Sequence, residues 1–356
     1  MFELAPQMKA AQRAEAEAAR KEAKRQTITL GDVWPVYIAA RKHRWGEHTL
    51  HAHIKFAATG GAKRKRSAKL TTPGPLAPLM PVRLNDLTAE RLAAWLKRES
   101  ATRPTSAALS FRLLRAFMRW TESEPDYQGL IPHDVYRAQK VREAVPKARA
   151  KANDCLQREH LPMWFAQVRK LQNPVIAAYL QALLLTGARR EEMAGLKWED
   201  VDFQWRALTI RDKVEGRRTI PLTPYLASLL AALPRRVDKD GKPVAWVFSS
   251  PTAADGKIAE PRLAHNYALD AAGLPHVTLH GLRRSFGTLA EWVEVPSGIT
   301  AQIMGHKPSA LAEKHYRQRP LDLLRMWHDK IEAWILEQAG VAFDATKQVQ
   351  GLRVVK

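Results

Sequence analysis

Leu279-His280-Gly281-Leu282-Arg283-Arg284-Ser285-Phe286 places a histidine and an arginine three residues apart. On a helix, side chains at i and i+3 are neighbours, so His280 and Arg283 share a face and could grip one anion together. With 12 His and 34 Arg in the chain, a His-x-x-Arg pair is expected by chance, so the pair gains meaning only from its surroundings.

Upstream, Thr186-Gly187-Ala188-Arg189-Arg190-Glu191-Glu192 ends one apolar helix and opens another. It sets Arg189 at the turn and Glu192 three residues on, on the same helical face. A carboxylate there could orient the arginine; a plain surface ion pair is the simpler reading. Arg211-Asp212-Lys213, Glu215-Gly216 and then Arg217-Arg218-Thr219-Ile220-Pro221-Leu222 read as strand, glycine turn and strand. That is a hairpin with Lys213 near its tip, where a lysine is ordinarily just solvated. Downstream come Gly305-His306-Lys307 and, ten residues beyond His306, Tyr316 in Lys314-His315-Tyr316-Arg317.

The chain around these stretches has 356 residues, about two domains' worth. It is 46% hydrophobic and 26% charged, which excludes wholesale disorder. One cysteine, Cys155, excludes an internal disulfide framework and a Cys-rich zinc module. The apolar run from Val175 to Thr186 contains Gln181 and is too short to span a bilayer. The N-terminus lacks an apolar signal core, so a cytoplasmic protein without a membrane partner is expected. Lys and Arg number 57 against 36 Asp and Glu, giving +21. Residues 1–153 carry +15 of this and residues 154–356 only +6. Such asymmetry points to a polyanion partner, most often nucleic acid.

The pattern divides the chain into a charged helical segment (1–26), a helical domain (27–136), a linker (137–153), a mixed α/β domain (154–338) and a tail (339–356). In the helical domain, Asp32 can cap a helix whose first turn holds Pro35, and further helices are expected over 47–57, 88–98 and 105–120. In the last, Leu109, Leu113, Phe117 and Trp120 share one face. Trp34, Trp45, Trp95 and Trp120 read as core anchors. Between two of these helices, the run Lys63-Arg64-Lys65-Arg66-Ser67-Ala68-Lys69 cannot pack against itself, so it is solvated or follows a phosphate backbone as a loop. The cluster of Glu47, His48, His51 and His53 has no second cluster to complete a zinc site, so no metal is expected.

Taken in order, the set reads Arg, Lys, His-x-x-Arg, His, Tyr, each in a fitting local setting. The stretches TGARREEMAGLKWEDVD, the lysine hairpin ending in RRTIPL, HGLRRSFGT, MGHK and KHY closely resemble those of the tyrosine recombinase (phage integrase) family. The resemblance covers about residues 154–338 and extends more loosely to 27–136. It implies a mostly α fold with a small β-sheet: an N-terminal helical core-binding domain plus a mixed α/β tyrosine-recombinase catalytic domain. It further implies that Arg189, Lys213, His280, Arg283 and His306 fill active-site positions, that Tyr316 is the nucleophile, and that Glu192 supports the first arginine. The expected activity is site-specific recombination by the integrase of a prophage or integrative element, through a 3′-phosphotyrosyl intermediate and without a cofactor. Expected partners are double-stranded DNA, a homodimer on each site, a homotetramer in synapsis and DNA-bending accessory factors, with Lys63, Arg64, Lys65, Arg66 and Lys69 as DNA-binding residues. Two alternatives share the fold or the chemistry: a catalytically silent DNA-binding regulator, and a type IB topoisomerase-like or telomere-resolving enzyme.

Overall fold

The computed structural model describes residues 23, 25–64, 67–147, 153–212, 216–238, 240–306 and 319–344. Two units divide between Ala150 and Lys151. Lys65, Arg66, Lys213 and Tyr316 lie outside the described residues, as does almost all of the charged segment 1–26.

The first unit is helical. Its opening helix, α1 (Leu30–Arg41), starts on Thr29 rather than on Asp32. Thr29 Oγ1 accepts from Asp32 N at 3.2 Å, and Asp32 Oδ2 accepts from Thr29 N at 2.9 Å. Asp32 therefore completes a reciprocal capping box from within the first turn. Pro35 falls one turn deeper than expected and forgoes a helix hydrogen bond there. Then follow α2 (Glu47–Ala57), β1 (Lys63–Arg64), β2 (Ser67–Leu70), α3 (Ala89–Thr102), α4 (Pro104–Thr121) and α5 (Gln139–Ala144). Leu113, Phe117 and Trp120 of α4 enter a core shared with Trp34, Tyr37 and Trp95.

Two expectations need correction in this unit. The basic run is not a loop: β1 and β2 pair antiparallel, with Lys63 opposite Leu70 and Arg64 opposite Ser67. Residues 63, 64 and 68–70 are exposed, so no apolar alternation announced a strand. The stretch 137–153 is not all linker, because α5 occupies 139–144 and Val141 is fully buried. One valine on a short helix, with Ala138, Ala144 and Val145 packed beside it, holds the stretch to the core.

The second unit comprises α6 (Leu161–Val168), α7 (Pro174–Thr186), α8 (Arg190–Ala194), β3 (Val201–Asp202), β4 (Ala207–Asp212), β5 (Gly216–Pro221), α9 (Pro224–Ala231), α10 (Arg262–Ala271), α11 (Leu279–Ala290), α12 (Ser297–Met304) and α13 (Leu321–Gln338). Asn173 caps α7, its Oδ1 accepting from Val175 N at 3.0 Å, and Pro174 occupies the first position, where its missing N–H is harmless. From Ala177 to Thr186 every residue of α7 is buried, as its nearly all-apolar sequence requires, so α7 forms the axis of the unit. The antiparallel sheet has the order β3-β4-β5, with Leu208 opposite Ile220 and Ile210 opposite Arg218. Beyond α13, Ala339 and Val341 are buried, and the Phe343 ring meets Tyr225 edge-on at 5.1 Å. The described part of the tail thus docks on its own unit. Among the described residues, no helix is long and apolar enough to cross a membrane.

Candidate active site

Three chain turns meet at one end of α7. The first closes α7 itself: Gly187 takes the left-handed conformation at φ +59°, and a Cβ there would come within 2.6 Å of Phe286 Cδ1. Only glycine meets both demands without strain. The turn delivers Arg189 to the head of α8. Glu192 accepts from Arg189 N at 3.0 Å and from Arg189 Nη1 at 2.5 Å, so the carboxylate expected three residues on does orient this arginine.

The second element is α11, capped by Thr278, whose Oγ1 accepts from Gly281 N at 2.9 Å. His280 and Arg283 stand on its first turns. Arg283 is only 4% exposed, and its Nη1 donates to the Gly187 and Met304 carbonyls, both at 2.6 Å. The third element is the end of α12, where Gly305 turns the chain at φ +72° into His306. Arg189 Nη2 donates to the Gly305 carbonyl at 3.2 Å. These bonds tie the Arg189 turn, the Arg283 helix and the His306 turn together. A cleft of about 520 Å³ opens beside them, lined by His280, Arg283, Arg284 and His306. A second, of about 640 Å³, is lined by Arg189, Arg190 and Arg262, and His280 borders both.

Electrostatics follow from this crowding of cations. Desolvation, then the Arg284 and Arg283 charges, hold His280 below its ordinary value, with Asp154 opposing them and Arg189 adding to them. Desolvation and then Arg283, Arg189 and Arg218 do the same to His306. Burial would raise Glu192, but hydrogen bonds from Arg218 and Arg189 outweigh it and keep the carboxyl ionised below its usual range. The site is therefore positive, with its histidines biased toward the neutral form.

Of the residues expected from sequence, Arg189, Glu192, His280, Arg283 and His306 come together here. Lys213 and Tyr316 lie outside the described residues, the first between β4 and β5 in the sequence and the second between His306 and Arg319. The sequence reading missed two participants. Arg218 on β5 donates from Nη2 to Glu192 Oε2 at 2.7 Å and from Nε to the Ile303 carbonyl at 3.4 Å. Asp154, 6% exposed, accepts from Thr278 N at 2.7 Å, from Thr278 Oγ1 at 2.8 Å and from Arg284 Nη1, clamping the head of α11. An aspartate at the start of a domain, 124 residues before the helix it braces, leaves no local signal.

In the first unit, Lys63, Arg64 and Lys69 are exposed on the β1–β2 hairpin. His53 is spent on packing: its Nδ1 lies 2.8 Å from the Thr49 carbonyl, and its ring stacks on Trp45 at 3.9 Å. Among the described residues, no three His, Cys, Asp or Glu side chains gather where they could hold a metal ion.

Comparison with known proteins decides the family. Residues 29–143 match the phage integrase core-binding domain, and residues 163–320 match the phage integrase family. Over 341 residues the chain is 52% identical to the prophage integrase IntF of Escherichia coli (strain K12), covering 94% of this chain and 73% of that one. The chain belongs to the phage integrase family. It is a tyrosine recombinase, a DNA strand-exchange enzyme. This integrase is also 28% identical over 321 residues to the tyrosine recombinase XerC of Mycobacterium sp. (strain JLS), covering 84% of this chain and 97% of that one. Its fold resembles a lambda integrase dimer bound to a COC′ core site, with a TM-score of 0.57 and 16% identity over 82% of this chain and 99% of that one. It also resembles the Tn1549 transposon integrase in complex with circular intermediate DNA, with a TM-score of 0.60 and 15% identity over 84% and 98%.

Proposed function

We propose that this integrase recombines duplex DNA of a prophage or integrative element through a covalent link between Tyr316 and the 3′ phosphate of the cut strand. The observation that carries this reading is that hydrogen bonds tie the turns bearing Arg189 and His306 to the helix bearing Arg283, beside two clefts that His280 borders in common. Phosphoryl transfer develops charge on the non-bridging oxygens and is accelerated by positioning and fixed cations. Guanidinium groups remain charged and offer a fork that matches two phosphate oxygens, which suits Arg189 and Arg283 to that work.

In the proposed step the Tyr316 oxygen attacks phosphorus as its proton passes to His280, which is held toward the neutral form a base requires. The bond from phosphorus to the 5′ oxygen breaks, and Lys213 gives that oxygen a proton. His306 donates a hydrogen bond to the phosphate. The new phosphotyrosyl ester keeps the energy of the old bond, so a 5′-hydroxyl from a second strand can attack it, release Tyr316 and reseal the backbone. Tyr316 is three residues before Arg319, whose carbonyl accepts from Gln302 Nε2 of α12 at 3.3 Å.

The helical unit, from residue 27 through α5, and the segment 154–338 then serve as core-binding and catalytic domains. In the first, Lys63, Arg64, Lys65, Arg66 and Lys69 follow the phosphate backbone, joined by Arg112, Arg115 and Arg119, which stand exposed on one face of α4. The lambda integrase neighbours, a dimer on a core site and a tetramer on a Holliday junction, suggest the same assemblies for this protein. Accessory DNA-bending factors and a cytoplasmic place of action belong to the same reading.

The test is covalent trapping on a pool of nicked duplexes with a randomised core. Wild-type protein should give an adduct that survives denaturation, and sequencing the trapped DNA then yields the site. Tyr316→Phe should bind the recovered duplex and form no adduct. An adduct on Tyr316→Phe would refute the nucleophile assignment.

A further inference from the structure

We propose that Arg218 is a positioning residue that compensates Glu192 and so makes the charge of Arg189 available to the phosphate. The proposal rests on the transesterification reading above. Glu192 is 7% exposed and Arg218 11%, whereas Arg189 is 41% exposed and lines the second cleft beside His280. The carboxylate is thus shared between one buried guanidinium and one that can reach the substrate. Arg218 Nη2 holds Oε2 at 2.7 Å, and Arg189 Nη1 holds Oε1 at 2.5 Å.

A buried carboxylate that loses its only cationic partner pays a heavy desolvation penalty. Were Arg189 that only partner, moving toward a phosphate would strand Glu192, and the pair would offer the substrate no net charge. With Arg218 fixed behind it, the group of three carries one net positive charge, and that charge sits on the exposed member. Arg189 can then shift toward the phosphate while Glu192 remains bonded.

The position of Arg218 is tightly set. It lies on β5, two residues after Gly216, where that strand begins. Its Nε donates to the Ile303 carbonyl, and a Cβ built on Gly305 would come within 2.7 Å of its Cζ. Gly305 therefore has two reasons to be glycine: its left-handed φ of +72° and the guanidinium beneath it. The Gly305 carbonyl accepts from Arg189 as well, so one turn of chain rests on both arginines.

Charge compensation predicts a particular pattern of coupling, read as the single-turnover rate of adduct formation on the trapped site. R218Q should slow the step by about 10²-fold, the scale of removing one preorganised electrostatic group, while duplex affinity stays within about twofold. R218K, which keeps the charge, should recover at least tenfold of that loss. The decisive comparison is made without the carboxylate: E192Q/R218Q should be within about fivefold of E192Q, because the main effect of Arg218 passes through Glu192 and its field on His306 is the smaller part. A larger cost in that background overturns the proposal, as does an R218Q rate equal to wild type. Should R218Q prove unfolded by circular dichroism, the E192Q pair decides alone. Wild-type protein that forms no adduct would instead sink the transesterification reading itself, so the two failures are distinguishable.

Discussion

Arg283 donates from Nη1 to the Gly187 carbonyl at 2.6 Å, joining residues 96 apart in the chain. One of these residues ends the buried axis α7, and the other sits on α11. The bond makes the turn that presents Arg189 and the helix that presents Arg283 a single rigid support. Because its donor is charged and buried, the contact is of the stronger kind, and each end depends on the backbone of the other.

Gly187→Ala should therefore damage both fold and activity. The alanine would have to hold φ +59° and place a Cβ against Phe286. A strained backbone of this type costs about 1–3 kcal/mol. The urea midpoint should fall accordingly, and adduct formation should slow at temperatures where the variant remains folded. An unchanged midpoint would show that the turn is not under this constraint.

Lys213→Ala tests the proton donor. General acid catalysis contributes about 10²–10⁴-fold, and adduct formation should fall within that range. A substrate whose leaving oxygen is replaced by sulfur departs without a proton, so on it the variant should approach the wild-type rate. A defect equally large on both substrates would assign Lys213 some other task.

Salt dependence tests the basic hairpin. Each duplex phosphate contact adds about −0.9 to the slope of log affinity against log salt. Neutralising Lys63, Arg64, Lys65, Arg66 and Lys69 should flatten the slope while leaving sequence preference largely intact, since phosphate contacts carry no base information. Neutralising Arg112, Arg115 and Arg119 on α4 gives an independent measure of the second exposed cationic face. A slope that does not move returns the hairpin to ordinary solvated surface.

Glu332 gives a pH prediction. Burial pushes its carboxyl from 4.5 up to about 7, against hydrogen bonds from Thr223, Tyr225 N and Leu226 N. Between those values the unfolded chain is ionised while the folded protein keeps the proton. Stability should therefore fall as pH climbs from about 4.5 to about 7, by up to about 3 kcal/mol from this residue. Glu332→Gln stays neutral throughout and should show a flatter profile over that interval. Parallel profiles in the two proteins would remove Glu332 as the cause.

Most of the framework was legible in the sequence because it is written in local periodicity. Glu47–Ala57 appears as a helix with the expected ends, and the apolar run after Pro174 becomes the central helix. The candidate site was legible for a different reason: Arg189, His280, Arg283 and His306 each lie in a short, recognisable motif. What escaped depended on distance in space. Arg218 and Arg217 are adjacent arginines on a hairpin, and only the strand register decides which one turns inward to Glu192. Asp154 reveals its role only once α11 lies beside it. The linker was overextended because a single buried valine in α5 makes almost no compositional impression.

The all-round burial of α7 has a further consequence for how this integrase fails on heating. No solvent-facing side lets that helix loosen independently, and its last turn is also the platform for both arginines. Inactivation and global melting should share one midpoint, with no warm interval in which a folded but idle catalyst accumulates.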